Sequence, residues 1–309
     1  MERDFLRRLL LRLPGHPRLL LGPGDDAALL ALAKENACVV TTDMLMDGVD
    51  FQLGKYGHSP QRIGRKSLAV NLSDLAAMAA RPVGAVISLA LPRSGGESLA
   101  LQLNEGIVPL AEEFETAIAG GDINSWDGPL VISITAIGEV IPGKEWRRSG
   151  ARPGDAILVT GWFGGSILGR HFDFSPRIRE SLLLAEQYDI QAAMDVSDGL
   201  SLDLSRLCEA SGCGAVLDLS QIPIAPAANE LSAAKQGDLS PLDHALSDGE
   251  DFELILAVAP AVAQQLLSVQ PLAIPLTRIG CFVEAPGLWQ QTGGGPLQSL
   301  APRGFEHQL

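Results

Sequence analysis

Six short stretches place carboxylates beside glycine or small polar residues. They are Gly24-Asp25-Asp26, Thr41-Thr42-Asp43, Asn71-Leu72-Ser73-Asp74, Gly121-Asp122, Asp195-Val196-Ser197-Asp198-Gly199 and Asp248-Gly249-Glu250-Asp251. Each alone is ordinary turn composition, because glycine accepts positive φ and aspartate caps backbone donors. Their recurrence at the ends of apolar segments points instead to ligand chemistry. Carboxylates with only five histidines in the chain suit a hard cation with oxygen ligands, Mg²⁺ rather than zinc. Acidic, glycine-rich loops repel a phosphate unless such ions lie between them. The common cationic phosphate cradles, GxxxxGK[ST] and GxGxxG, are both absent, which favours a metal-rich phosphate site over the usual nucleotide folds.

Two of these stretches fit the turn reading poorly. Asn71, Ser73 and Asp74 fall in a segment that reads as helix interior, where all three are weak formers. Asn71 and Asp74 are three apart and share a face, and the alanines around them allow close approach to another element. Asp43 is expected to end an otherwise apolar strand, a common place for ligand-binding groups in α/β sheets. A buried structural role for Asp74 remains an alternative. Lys66, on the same helix, and Arg148 are the basic residues placed to help a phosphate; for Lys66 a solvated surface position is the competing reading.

The elements that must carry these residues alternate. Strands are expected at 37–42, 83–91 and 130–140, helices at 59–80 and 97–115, and a short strand at 116–119 ending at Gly120-Gly121-Asp122. The order β-α-β-α-β-β implies a mixed sheet with helices on one face. A Pro/Gly-rich composition shift beginning at Ile141 marks a domain junction, dividing the chain into an N-terminal α/β domain, 1–141, and a C-terminal one, 142–309. In the second, strands are expected at 155–160, 192–196, 214–219, 252–259 and 276–283, with helices at 179–188 and 199–211. The fold class is α/β.

Composition removes other functions. A net charge of −14 argues against a nucleic-acid surface, since a phosphate backbone needs basic partners. No apolar run reaches the ~18 residues of a membrane span. The opening MERDFLRRLLLRLPG reads as an amphipathic helix, with no small-residue cleavage site behind it. The four cysteines show no CxxC spacing, so free, mostly buried thiols and a cytoplasmic protein are expected.

The motifs GPGDDAAL, VTTDMLMDGVDF, KSLAVNLSDLAAMAARP, AGGDIN, RSGARPGDAILVTG, MDVSDGLSLDL and SDGEDFEL occur in this order. Together they resemble the thiamine-monophosphate kinases, part of the wider family that includes aminoimidazole ribonucleotide synthetase. The likeness runs from about Gly22 to Phe252, with a weaker echo at Arg303-Gly304-Phe305-Glu306-His307. The resemblance implies an N-terminal domain that forms the core of a homodimer and a C-terminal domain folded over it. It implies direct transfer of the γ-phosphate of ATP to thiamine monophosphate without a phosphoenzyme. Asp26, Thr41, Thr42, Asp43, Asp74, Asp122 and Asp195 would then hold several Mg²⁺ ions, with Asp198 on a further one. Asp43, Asp74 and Asp122 would be central to catalysis. Gly121, Asp122, Arg148 and Ser197 would contact ATP; Asp50, Glu250 and Phe305 would lie on the thiamine side. Such a transfer needs positioning and charge neutralisation more than covalent chemistry.

The chain departs from the family in three places. Asp47-Gly48-Val49-Asp50-Phe51 stands where the family reads glutamate-glycine-x-histidine-phenylalanine, so an aspartate replaces a substrate-side histidine. Asn124 replaces a small hydroxyl residue after Gly-Gly-Asp, and Asn104 and Glu105 lie where the family has an aromatic ATP contact. A transferase of the same superfamily with another acceptor, or a catalytically silent nucleotide-binding protein, are the competing readings. Selenophosphate synthetase is disfavoured because no cysteine lies near the N-terminal glycine-rich region. A hydrogenase-maturation dehydratase is disfavoured because the chain ends Glu-His-Gln-Leu, without a terminal cysteine.

Overall fold

The computed structural model describes residues 19–21, 25, 28–31, 35–234, 239–291 and 295–306. The expected N-terminal amphipathic helix and Asp26 lie outside the described residues. Chain order begins β1 (Leu19–Leu21), β2 (Ala28–Ala31), β3 (Ala37–Met46), α1 (Pro60–Ala77), β4 (Arg81–Pro92), α2 (Gly96–Glu113), β5 (Ala117–Trp126) and β6 (Val131–Val140). These strands form one sheet in the order β1-β2-β3-β6-β4-β5. Its neighbours are antiparallel except for the parallel pair β4 and β5.

Ser59 caps α1 by accepting from Arg62 N, with Pro60 at the first helical position, where its missing N–H costs nothing. α1 then crosses α2 backbone to backbone. A Cβ at Gly64 would sit 2.1 Å from Leu103 O, and one at Gly106 would sit 1.8 Å from Gln61 O. Both helices cover one face of the sheet, where Val39, Leu72, Leu75, Leu103, Ile107 and Ile134 are buried. On β6 every second residue is buried, while all ten positions of β5 are exposed. The outer face of this sheet is therefore left to solvent in the single chain.

Two expectations need correction. β3 does not end at Asp43 but runs three residues further to Met46, because its ladder with β6 continues from Ala37↔Val140 to Met46↔Val131. β5 does not stop at Gly120-Gly121-Asp122; those residues lie mid-strand, held by the parallel ladder that pairs Gly84–Pro92 with Ala117–Trp126.

The rest of the chain holds β7 (Ala156–Thr160), α3 (Arg170–Asp173), α4 (Ile178–Gln187), β8 (Ile190–Asp195), α5 (Leu200–Ser211) and β9 (Gly214–Asp218). It continues with α6 (Pro226–Ala233), α7 (Pro241–Ser247), β10 (Leu254–Val258), α8 (Pro260–Val269), β11 (Leu276–Val283), β12 (Gly287–Gln291) and β13 (Gln298–Ser299). Its sheet has the order β13-β12-β9-β11-β7-β10-β8. β7 and β10 are buried at every residue, which explains their unbroken apolar sequences. α1 also packs on α3, α4 and β8, so the helix bearing Asn71 and Asp74 lies between the two sheets. Cys38, Cys208, Cys213 and Cys281 are free and mostly buried, as expected.

Candidate active site

A cavity of about 660 Å³ opens where α1 and β3 face the second sheet. Asp43, Asp50, Ser197, Asp198, Glu250 and Phe305 all line it. The structure thus brings together residues that lie up to 262 positions apart (305 − 43).

Strand alternation sorts the Thr41-Thr42-Asp43 run. Thr41 and Asp43 share the helix-covered face of the sheet, and Asp74, reaching down from α1, accepts a hydrogen bond from Thr41 Oγ1. The neighbouring helix position points elsewhere: Ser73 Oγ donates to Asp195 Oδ2 at 2.5 Å. Asp195 ends β8 and is 2% exposed. One turn of α1 therefore reaches a carboxylate-bearing strand end in the second domain.

Asp43 Oδ2 is buried with no hydrogen-bond partner. Burial, then the nearby charges of Asp50 and Asp198, push its carboxyl up to about 6. An unpartnered buried acceptor costs about 1–3 kcal/mol, and a cation bound there would remove both penalties. Among the described residues no three acidic, histidine or cysteine side chains converge as a ready cage. Mg²⁺ does not need one, since it is usually held by one or two carboxylates, waters and substrate phosphates. The residues present fit such an ion.

Lys66 is not a surface residue. It is fully buried; its Nζ pairs with the Glu250 carboxylate, donates to Asp50 O at 3.3 Å and lies 5.2 Å from the Phe172 ring centroid. Glu250 has φ +60°, and Phe252, two residues on, has φ +51°, a conformation non-glycine residues rarely hold without support. The support is visible: Glu250 N donates to Ser197 O at 2.6 Å, and Phe252 stacks on Phe174 with centroids 4.1 Å apart. Burial raises the Glu250 carboxyl, against the pull of Lys66. Asp50 turns its carboxylate back onto Met46 N at 2.7 Å, bracing its own turn.

Asp198 pairs with Arg206, and its carbonyl accepts from Phe305 N at 2.9 Å. That bond fixes the C-terminal segment at the cavity mouth, where the Phe305 ring is exposed. Fully buried Asp203 accepts from Asp198 N and Gly199 N, satisfying donors at the start of α5. Arg148 lies beside this end of the site, its N–H donating to the Asp25 carboxylate at 2.9 Å.

Gly121, Asp122 and Thr42 are not brought to this cavity. In register, Asp43, Ile134, Ile87 and Gly121 form one row, and Met44, Ser133, Ser88 and Asp122 the next. Three strand spacings of about 4.8 Å separate β3 from β5. Thr42 belongs to the outer face, where its Oγ1 donates to Ile134 O and accepts from Thr135. Gly121 and Asp122 instead border a second cavity, of about 210 Å³, with Asn104 and Ile107 of α2. Gly121 is confined there, because a Cβ would lie 1.7 Å from Ile87 O.

Sequence reading marks Asp248 and Asp251 only as part of an acidic stretch and misses His244 and the glycine loop they hold. Buried Asp251 accepts from Gly164 N at 3.0 Å, and Asp248 accepts from Gly165 N at 2.8 Å. Together they clamp a glycine loop whose Ser166 and Ile167 line the first cavity. Asp248 also faces His244 Nδ1 at 2.9 Å, and His244 lines the cavity too. The density of acids in Asp248-Gly249-Glu250-Asp251 was the available signal; nothing in the sequence paired them with a glycine loop some 85 residues earlier (249 − 164).

Comparison with known proteins agrees along the whole chain. Residues 24–140 match the family model of the AIR synthase related protein N-terminal domain, and 159–288 that of the C-terminal domain. The chain is 42% identical to a thiamine-monophosphate kinase of Rhodopirellula baltica, over 99% of this chain and 97% of that protein. It is 34% identical to the enzyme of that name from Escherichia coli K12, over 93% and 91%. Among solved structures, AaThiL complexed with AMPPCP and TMP superposes with TM-score 0.82 at 25% identity, covering 99% of this chain and 96% of that one. Thiamine-monophosphate kinase from Stenotrophomonas maltophilia K279a gives 0.71 at 34% identity, covering 94% and 95%. The chain belongs to the thiamine-monophosphate kinases, within the family of AIR synthase related proteins.

Proposed function

We propose that this chain transfers the γ-phosphate of ATP to thiamine monophosphate. An acceptor phosphate oxygen bonds to the γ-phosphorus as its bond to the β–γ bridging oxygen breaks, giving thiamine diphosphate and ADP. The observation that carries the reading is Asp43, an unpartnered buried carboxylate oxygen in a cavity shared with Ser197, Asp198, Glu250 and Phe305. Bound Mg²⁺ would neutralise the charge of the two phosphates as they meet. Asp43, Asp74 and Asp195, with Asp26 and Thr41, are the residues proposed to hold it; Asp198 would take a further ion.

The chain's own groups do the positioning. Lys66 holds Glu250 and the Asp50 carbonyl together, and Phe252 and Phe305 offer apolar surface to a heteroaromatic acceptor. Ser197 and Arg148 would face ATP. Thr42 and Asp122 belong to outer-face rows of the sheet, while Gly121, three strand spacings from Asp43, borders the cavity beside α2. A homodimer formed through this sheet would support their use, because a partner's edge strand would return an Asp122 to a site the single chain leaves incomplete. The proposed division of the chain at 141/142 separates the two sheets. No helix among the described residues is long and apolar enough to cross a membrane, and a cytoplasmic location suits a biosynthetic kinase.

The test is ATP consumption by purified protein with Mg²⁺, with and without thiamine monophosphate, with the product identified by mass. Thiamine diphosphate formed in step with ADP is the expected result. ATP turnover that ignores thiamine monophosphate would move the acceptor elsewhere.

A further inference from the structure

The first cavity is lined by carboxylates, apolar side chains, two serines and one imidazole. Among the described residues lining it, His244 is the only side chain that carries nitrogen. It projects from α7, and Asp248, directly after that helix, holds it: both carboxylate oxygens lie within 3.0 Å of Nδ1. The same carboxylate accepts from Gly165 N at 2.8 Å, so the imidazole is anchored to the glycine loop as well as to its own helix. A Cβ on Gly164 would sit 2.8 Å from the His244 carbonyl carbon, so loop and helix are in direct contact. With Nδ1 committed to Asp248, Nε2 is the ring nitrogen left for a ligand.

The cavity has two walls. Asp43, Met44 and Asp50 come from β3 and the turn after it. Ile167, Leu231 and His244 come from the glycine loop, α6 and α7 of the second domain. The second domain also brings carboxylates to the space, but Asp198 is held by Arg206, Asp248 by His244 and Glu250 by Lys66, so the imidazole Nε2, beside Ile167 and Leu231, is a polar group that this wall leaves open. Given the kinase reading, on which this inference rests, the phosphate belongs near the unpartnered Asp43 and the ring near His244, Ile167 and Leu231. We infer that His244, oriented by Asp248, recognises the acceptor's aminopyrimidine through Nε2 and so sets acceptor specificity.

The experiment compares wild type, His244→Leu and His244→Gln with two acceptors, thiamine monophosphate and its analogue with the exocyclic amino group replaced by oxo. His244→Leu should raise the KM for thiamine monophosphate about ten-fold, with kcat and the KM for ATP within about two-fold. The wild-type preference for amino over oxo should shrink at least five-fold in His244→Leu, and His244→Gln should recover part of it. An unchanged acceptor KM and an unchanged amino/oxo ratio in a folded His244→Leu would overturn the inference alone. Equal losses with both acceptors, together with a raised KM for ATP, would also overturn it, because they mark a structural role. A wild-type protein that forms no thiamine diphosphate would take the kinase reading down as well.

Discussion

The ammonium of Lys66 and the carboxylate of Glu250 meet across the boundary between the two domains, with the lysine wholly enclosed by protein. Lys66 comes from α1, and Glu250 from the loop before β10. Removing one partner of such a pair strands the other charge in a poorly solvated place, which costs about 3–5 kcal/mol when both are buried. Lys66→Met should therefore lower unfolding stability by about 2–4 kcal/mol, the smaller figure reflecting the partial exposure of Glu250. Lys66→Met/Glu250→Gln should recover part of that loss. Denaturant titration of the three proteins checks this; strictly additive losses would show that the two groups do not act as a pair.

Asp43 behaves in the opposite way. Its buried oxygen has no partner, so Asp43→Asn should leave the melting temperature unchanged or slightly higher while reducing turnover by at least about 10³-fold, the scale of losing a central electrostatic group. Wild-type protein should also gain thermal stability on adding Mg²⁺, by mass action on the folded state, and Asp43→Asn should gain less. Full activity in the purified variant would remove Asp43 from the site.

His171 gives a pH dependence with a definite sign. It is 1% exposed, and its Nδ1 faces Ser166 O at 3.0 Å. Burial, helped by the charges of Lys66, His58 and Arg62, pushes its imidazolium pKa down to about 4 from 6.5. Between those values the unfolded chain binds more protons than the folded one, so stability falls as pH drops from about 6.5 towards 4. The full effect is at most about 3 kcal/mol. His171→Asn should flatten the stability profile in that window; an unchanged slope would assign it to other groups.

The exposed edge strand β5 of the first sheet predicts association. Ile118, Ile123 and Trp126 of β5 are all exposed, on an edge strand that natural proteins usually protect. Ile123→Glu should convert a dimer to a monomer in sedimentation and should depress turnover with it. A wild-type monomer of full activity would refute the shared-face arrangement.

Much of this architecture could be read from residue order. The strands at β3, β4, β6, β7, β8 and β10 were expected because buried strands are unbroken apolar runs bounded by turn residues. The sequence makes β5 look short because Gly120-Gly121-Asp122 has the composition of a turn, whereas the parallel ladder with β4 holds it extended. Four residues of the acidic motifs, Asp43, Ser197, Asp198 and Glu250, line one cavity. Their spacing carried no trace of which strand face each occupied, so Thr42 and Asp122 were grouped with residues they do not meet in a single chain. Lys66 is open to two readings in the sequence for a related reason: burial of a lysine depends on a distant partner, here Glu250, which helix periodicity does not encode.

The hydrogen bond from Ser73 to Asp195 bears on how this chain can be recombined. A chimera that takes its first half from one relative and its second half from another inherits the donor and the acceptor of that bond from different parents. Lys66 and Glu250 would be divided in the same way. Crossovers near residue 141 are therefore expected to yield active enzyme mainly when both parents match at positions 66, 73, 195 and 250. A library of such crossovers, sorted by growth under thiamine limitation, would report these pairings as linked choices and leave the remaining interface positions free to vary.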